Sequence, residues 1–162
     1  KSGDTEVAVP APVPCLLLLS SHILIHTMGH GIGLRQYCDM ARAYHMLQGR
    51  YRQADLIEAY EKTGLTKWTR LLNACLITHL GVDENVLPNV GSDTKSLERL
   101  TKMVMSSGNF GLHNDSRGKS TQTKWHRKWK TFQSFVRHSR TTMVWAPTET
   151  ICTIARSVVG NL

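Results

Sequence analysis

The sequence predicts an all-α fold: a compact bundle of about six to seven helices with little or no sheet. Apolar residues recur at three- and four-residue spacing in each long segment, which is the pattern of a helix with one buried face. No segment has the clear period-two alternation of a half-buried strand. Glycines follow four of the periodic segments, at Gly29, Gly49, Gly64 and Gly81, where helices commonly end.

The periodicity and the glycines place the helices at residues 15–28, 34–48, 53–63, 67–80, 95–106 and 123–140, with a last one after Pro147. Pro10, Pro12 and Pro14 predict an extended strip before the first helix, because proline is excluded from helix interiors. Ser92 or Asp93 is expected to cap the fifth helix.

We expect three parts in the chain. They are an extended entry segment at residues 1–14, a helical core domain at 15–116, and a basic C-terminal helical appendage at 117–162 that packs on the core. The polar stretch 82–91 is expected to be a loop. The predicted buried face of the second helix consists of Leu34, Tyr37, Cys38, Ala41, Tyr44 and Leu47.

The pattern of cysteines and the first apolar run together predict the cellular compartment of the protein. Cys15, Cys38, Cys75 and Cys152 are scattered without a CxxC pair, which fits reduced, buried thiols better than disulfides or a zinc site. The apolar run 15–28 contains two histidines and is too short to span a bilayer, so we expect a buried helix there. The acidic leader before it argues against a signal peptide. We therefore expect a cytoplasmic protein with no transmembrane segment.

The net charge of +8 is confined to one segment of the chain. Residues 117–140 hold eight basic residues and no acid, whereas the remainder holds 12 basic and 12 acidic residues. Within this segment an aromatic stripe is flanked by Lys124, Arg127, Lys128 and Lys130. Bases beside aromatics suit a nucleic-acid backbone or an anionic surface. The alternative is that the stripe packs on the core and the bases form a solvated face.

Residues 21–39 combine three histidines with a glycine turn, an arginine and an aspartate. His22 and His26 are four apart, so they project from one side of the first helix. With Asp39 or His30 as a third ligand they could bind Zn²⁺ or another divalent ion. The alternative is structural: each imidazole bonds a backbone carbonyl, or His22 pairs with Asp39.

The turn between the first two helices could bind an anion. Gly31 and Gly33 lie just before a predicted helix start, where free N–H groups and the positive end of the helix dipole favour negative charge. Arg35 in the first turn, with His30 nearby in sequence, would complete a phosphate site. The alternative is a tight helix–helix turn in which Arg35 pairs with an acid. The P-loop ending and the dinucleotide fingerprint are both missing.

No reaction centre can be identified in these residues. There is no GxSxG motif for a serine nucleophile, and no Asp-x-Asp or Glu-x-Asp pair for two-metal phosphoryl transfer.

Several stretches resemble one known family. They are His22-x-x-x-His26, Gly31-Ile-Gly-Leu-Arg-Gln-x-Cys-Asp39, Gly64-Leu with the apolar helix after it, and Gly108-Asn-Phe-Gly111. They are similar to the C-terminal half of a nucleotidyltransferase-like family common in Bacteroidetes, and the basic, tryptophan-bearing tail resembles that family too. The resemblance covers the chain from about Pro14 on.

The resemblance implies a nucleotidyltransferase of the DNA-polymerase-β type, which transfers a nucleotidyl group with Mg²⁺. In such proteins the metals are held by a carboxylate pair in the N-terminal half, which has no matching positions here. Mg²⁺ is thus implied, with its ligands outside this chain, and the catalytic half is expected in cis or in trans. The resemblance is thus limited to the helical half of that family, in which the matching motif positions are His22, His26, Arg35 and Asp39.

Three functions follow from these observations. The first is the helical C-terminal part of a nucleotidyltransferase, which supports a nucleotide or acceptor site with Arg35 near phosphate. The second is a stand-alone helical module that binds nucleic acid or an acidic partner through residues 117–140. The third is a metal-dependent hydrolase built on His22, His26 and Asp39.

Overall fold

The computed structural model describes residues 9–29, 33–91, 93–106, 143–147 and 151. The described residues form five α-helices and a short 3-10 turn, with no strand among them. The α-helices are α1 at Pro12–Gly29, α2 at Leu34–Leu47, α3 at Gln53–Lys62, α4 at Thr66–Leu80 and α5 at Thr94–Ser106, and the 3-10 turn is Glu84–Val86. The prediction of a compact all-α bundle is confirmed.

Two helices form the centre of this bundle. α1 packs against α2, α3 and α4, and α4 packs in addition against α2, α3 and α5. The indole Nε1 of Trp68 on α4 donates to the Ser20 carbonyl of α1 at 2.9 Å, and both residues are buried. Trp145 stacks near Trp68 with ring centres 6.3 Å apart, and its Nε1 donates to the Ser96 Oγ at 3.2 Å. The segment 143–147 thus contacts both α4 and α5.

Glycine ends α4 for a conformational reason. Gly81 adopts the left-handed conformation with φ of 64°, and its N–H donates to the Ile77 carbonyl at 3.0 Å. This conformation has no steric cost for a residue that lacks a Cβ atom. Gly64 has φ of 71° just after α3, and the predicted stops at these glycines are confirmed.

The start of α1 differs from the prediction. The helix begins at Pro12 instead of residue 15, so Pro12 and Pro14 lie in its first turn. The first N–H groups of a helix have no intrahelical acceptor, and a proline there loses no hydrogen bond. Helical backbone likewise occurs at residues 143–145, before Pro147. The predicted helix 123–140 lies outside the described residues.

Three predicted burials are wrong. Cys38 and Leu34 are exposed, and Met40 takes the central position in the buried face of α2 together with Tyr37 and Tyr44. The whole-helix burial expected for α1 also fails, as described below. The stretch 82–91 is more than a polar loop, because it contains the 3-10 turn and contributes buried apolar side chains, namely Val82, Val86 and Leu87.

None of the described helices combines the length and the apolar character that crossing a membrane requires.

Candidate functional site

The candidate site is the surface where the end of α1 and the start of α2 lie next to each other, which we call the α1–α2 surface. It consists of the exposed and half-exposed residues within 22–29 and 33–39. α1 and α2 pack together, and this part of the two helices contributes five buried apolar side chains to the core: Ile23, Leu24, Met28, Tyr37 and Met40. Because a helix has 3.6 residues per turn, most of the polar residues between these positions lie on the side of each helix that faces away from the core. The turn residues 30–32, which include His30 and Gly31, lie outside the described residues.

His22 and His26 form a pair on the outer side of α1. Their ring centres are 4.4 Å apart and the ring planes meet at 71°, an edge-to-face arrangement. His22 is exposed and His26 is half-buried. An exposed imidazole does not need a backbone carbonyl to satisfy it, so the structural interpretation does not account for His22.

Asp39 does not join this pair. It is exposed on α2, and no hydrogen bond or ion pair connects it to His22. Among the residues that the structure describes, no group of three His, Cys, Asp or Glu side chains is placed to hold a metal ion. Within the described residues, His22, His26 and Asp39 thus form neither the expected pair nor a three-ligand metal site, whereas the alternative with His30 as third ligand lies outside the described residues.

The N-terminus of α2 has part of the geometry expected for an anion site. Gly33 precedes the helix with φ of −99° and ψ of 166°, and it has no side chain with which to cap it. The first turn contains no acidic residue. Arg35 lies in that turn and is exposed. Its guanidinium and the amide groups of the first turn thus occupy one end of α2, where a helix favours negative charge.

Two buried polar atoms in the same turn of α2 lack a hydrogen-bond partner. They are the Oε1 of Gln36 and the hydroxyl of Tyr37. Burial raises the pKa of Tyr37 well above its ordinary value, so the hydroxyl stays protonated. Buried unpaired polar atoms are uncommon, since each costs about 1–3 kcal/mol. Sequence analysis missed them, because Gln36 and Tyr37 fit the amphipathic pattern of an ordinary helix.

The outer face of α1 is apolar apart from its histidines. Leu18 is 61% exposed and Ile25 is 44% exposed, on the same side of the helix as His22. No Asp, Glu, Lys or Arg occurs between Pro12 and Gly29. The prediction of a buried α1 is wrong for this face, because periodicity reveals an apolar helix but not which of its sides the other helices cover.

Other polar contacts are structural. The hydroxyl oxygens of Tyr44 and Tyr60 lie 3.2 Å apart and join α2 to α3. The Nδ2 of Asn73 donates to the Asn89 carbonyl at 2.7 Å, which holds the loop after α4 against that helix. The four bases predicted to bind nucleic acid, Lys124, Arg127, Lys128 and Lys130, lie outside the described residues.

Comparisons with known proteins do not identify the chain: no family model, no curated protein and no solved structure matches it. The arguments for a function therefore come from its own residues and their placement.

Proposed function

We propose that this chain is the helical C-terminal part of a bacterial nucleotidyltransferase. It would support a nucleotide or acceptor site whose catalytic carboxylates lie outside these residues. The observation that carries the proposal is the outward placement of the polar motif residues. His22, Arg35 and Asp39 are exposed, while four apolar residues between them belong to the core, namely Ile23, Leu24, Met28 and Tyr37. The exposure of these side chains favours a role in contacting a group outside the bundle.

In this proposal Arg35 binds a phosphate group. A guanidinium offers donors in a planar fork that matches phosphate oxygens, and the start of α2 adds the positive end of its dipole. Gly33 keeps the helix terminus free of a capping side chain. His30 and Gly31 precede it in sequence and belong to the same proposed phosphate site. His22, His26 and Asp39 would form the surrounding polar surface.

Mg²⁺ has no fitting ligand set in the described part of this chain. Mg²⁺ prefers oxygen ligands in octahedral geometry, usually one or two carboxylates with waters and phosphates. The α1–α2 surface offers imidazoles and a single carboxylate, and no three-residue cluster is present among the described residues. The proposal therefore assigns the Mg²⁺ ligands to the other half of the protein.

The decisive experiment is reconstitution of activity. The chain alone should transfer no nucleotidyl group to any acceptor, whereas the protein that includes the sequence encoded upstream of Lys1 should do so with Mg²⁺. Supplying the upstream half as a separate polypeptide should restore activity to this chain. Transfer by the chain alone, or an upstream sequence without a Gly-Ser turn and carboxylate pair, would contradict the proposal.

We propose a cytoplasmic location for this protein. Cys38 is an exposed free thiol and Cys75 a buried one, and neither forms a disulfide in the structure. Free thiols of this kind persist in a reducing compartment.

A second candidate function is the binding of nucleic acid or an acidic partner. The observation that favours it is the confinement of the net charge of +8 to residues 117–140. Neutralising Lys124, Arg127, Lys128 and Lys130 together should reduce the slope of log affinity against log salt by about 3 for a nucleic-acid ligand. A matched control neutralises four exposed bases of the core, Arg50, Lys67, Arg99 and Lys102, and should leave the slope unchanged. Equal effects of the two variants would exclude a local binding face.

A further inference from the structure

We infer that two copies of this chain associate through the outer stripe of α1, which consists of Pro14, Leu18, Ser21 and Ile25. Pro14, Leu18 and Ile25 are exposed, and Ser21 is partly exposed. Their spacings of four, three and four residues place them on one line along the helix, as in the contact line of a two-stranded coiled coil. The inference goes beyond the proposed function, because it requires neither a nucleotide nor the upstream half.

The stripe carries no charge, and this distinguishes α1 from the other helices. No Asp, Glu, Lys or Arg occurs between Pro12 and Gly29, whereas α2, α3, α4 and α5 each contain at least two such residues. A chain with a net charge of +8 repels a second copy wherever like charges meet. Two α1 helices can approach without a like-charge contact, and they offer no countercharge to an acidic or a basic partner. The charge distribution therefore favours a second α1 over a charged ligand.

The spacing of the stripe reads the same in both directions, so the stripe fits a second copy of itself in antiparallel orientation. In that register Leu18 lies opposite Ser21 of the second copy, and Ile25 lies opposite Pro14. Each larger side chain thus meets a smaller one, as interdigitating helices require. An antiparallel arrangement also brings the positive end of each helix dipole beside the negative end of the other. Both copies use the same surface, so the assembly closes at two.

The size of the stripe predicts a weak dimer. From Pro14 to Ile25 the helix rises by roughly 17 Å. A contact of that length and one helix wide buries much less than the roughly 1,200 Å² at which stable complexes begin. Interfaces in the low size class are transient. We therefore expect reversible association with a Kd in the micromolar range or weaker.

The test is sedimentation equilibrium of the full 162-residue chain at concentrations up to about 500 µM, where we expect a reversible equilibrium between monomer and dimer. L18E and S21K should each weaken the dimer at least about tenfold, because each places an unpaired charge in the contact. A one-to-one mixture of the two variants should form a dimer at least about tenfold tighter than either variant alone, because the introduced charges are then opposite in sign and face each other.

A second pair of variants and a control accompany this test. P14E and I25K alter the other opposed positions, and they should weaken the dimer singly and restore it when mixed. Met46→Glu is the matched control, because Met46 is 65% exposed on α2, outside the stripe, and it should leave the association unchanged. Circular dichroism should show the same helix content in all variants, because every substituted side chain is exposed or partly exposed.

Three results would overturn the inference. The first is a monomer at every concentration, which would leave the stripe to another segment of the chain or to another partner. The second is a dimer that folded L18E and I25K leave intact, because the contact would then lie elsewhere. The third is a pair of dissociating variants that do not associate when mixed, which contradicts the antiparallel contact. None of these outcomes bears on nucleotidyl transfer, which the reconstitution experiment measures.

Discussion

Tyr44 and Tyr60 join two helices through their hydroxyl groups inside the core. Both rings are fully buried, and the two oxygens lie 3.2 Å apart. Burial raises the pKa of Tyr44 well above its ordinary value and that of Tyr60 to about 12. Both phenols therefore stay neutral at physiological pH, and each hydroxyl has the other as a partner. The pair links α2 to α3 inside the core.

Replacing either tyrosine by phenylalanine should lower the free energy of unfolding by about 1–2 kcal/mol, since the remaining hydroxyl is left buried. The double variant should lose less than the sum of the two single losses. Urea unfolding followed by circular dichroism measures these values. Tyr51→Phe is the control, because the hydroxyl of half-buried Tyr51 bonds no described group, and it should cost less than about 0.5 kcal/mol. Additive losses at Tyr44 and Tyr60 would show that the two hydroxyls do not interact.

The thiols should differ in reactivity according to their burial. Burial raises the pKa of the Cys75 thiol to about 11, so almost none of it is the reactive thiolate at pH 7–8. Cys38 is exposed. In the native protein we expect iodoacetamide to modify Cys38 at least about tenfold faster than Cys75. Peptide mass spectrometry over a time course measures both rates. In urea the two cysteines should be modified at equal rates. Equal modification rates of Cys38 and Cys75 in the folded protein as well would contradict the burial of Cys75.

At the scale of elements, α5 is started by a side-chain cap. The Oδ1 of Asp93 accepts a hydrogen bond from the Ser96 backbone N–H at 2.8 Å. Hydrogen bonds to Ser96 hold the pKa of Asp93 below its ordinary value. A carboxylate also interacts favourably with the positive end of the helix. Asp93 therefore stabilises α5 when it is ionised.

The Asp93→Ala variant should unfold at a lower temperature than the unchanged chain at pH 7. A carboxyl group with a depressed folded pKa contributes stability above its unfolded pKa, about 3.9, and loses it as the pH falls through the folded value. The difference in thermal midpoint should accordingly shrink below about pH 4. Asp93→Asn, which keeps a capping oxygen, is the control and should retain part of the stability that Asp93→Ala loses. A difference that is constant from pH 7 to pH 3 would exclude the charge of Asp93 as its source.

The helices themselves could be predicted from the sequence with small errors. The predicted and observed ends of α2, α3, α4 and α5 differ by at most one residue, because apolar spacing and glycine stops are local signals. The observed start of α1 lies three residues before the predicted one, because proline is excluded from helix interiors but tolerated in the first turn.

The sides of the helices were harder to assign. Leu18 and Ile25 are as apolar as Leu16 and Ile23, yet the first two are exposed and the others buried. Nothing local distinguishes them in a helix that is apolar all round. Which face α2, α3 and α4 cover is decided by tertiary packing, and sequence periodicity carries no information on it for such a helix.

At the scale of the whole molecule, the candidate site depends on how α1 and α2 approach each other. The proximity of His22 to His26 could be predicted, because both lie on one helix four residues apart. The relation of His22 to Asp39 could not, because it depends on the turn and on the rotation of α2, and the two side chains do not pair. The orphaned Oε1 of Gln36 had no sequence signal at all.

Each of the two proposed functions depends on a different region of the chain, one on the described core and the other on the basic segment 117–140. The α1–α2 surface offers polar side chains and a helix N-terminus, whereas residues 117–140 offer charge. In the two proposals, nucleotidyl transfer would use the α1–α2 surface, and binding to nucleic acid would use residues 117–140. Variants in one region should therefore leave the other activity unchanged.

The central claim is that Arg35 on the α1–α2 surface contacts a phosphate of the nucleotide or acceptor. The most direct measurement is kcat/KM for nucleotidyl transfer by the protein that includes the upstream half, compared between Arg35→Gln and Arg42→Gln. Arg42 is the matched control, because it is exposed on the same helix two turns further on. A charge-assisted hydrogen bond contributes about 1.5–3 kcal/mol, so Arg35→Gln should lower kcat/KM by roughly 10- to 100-fold, and Arg42→Gln should change it less than about twofold. Equal values for the two variants, with the fold intact, would contradict the account.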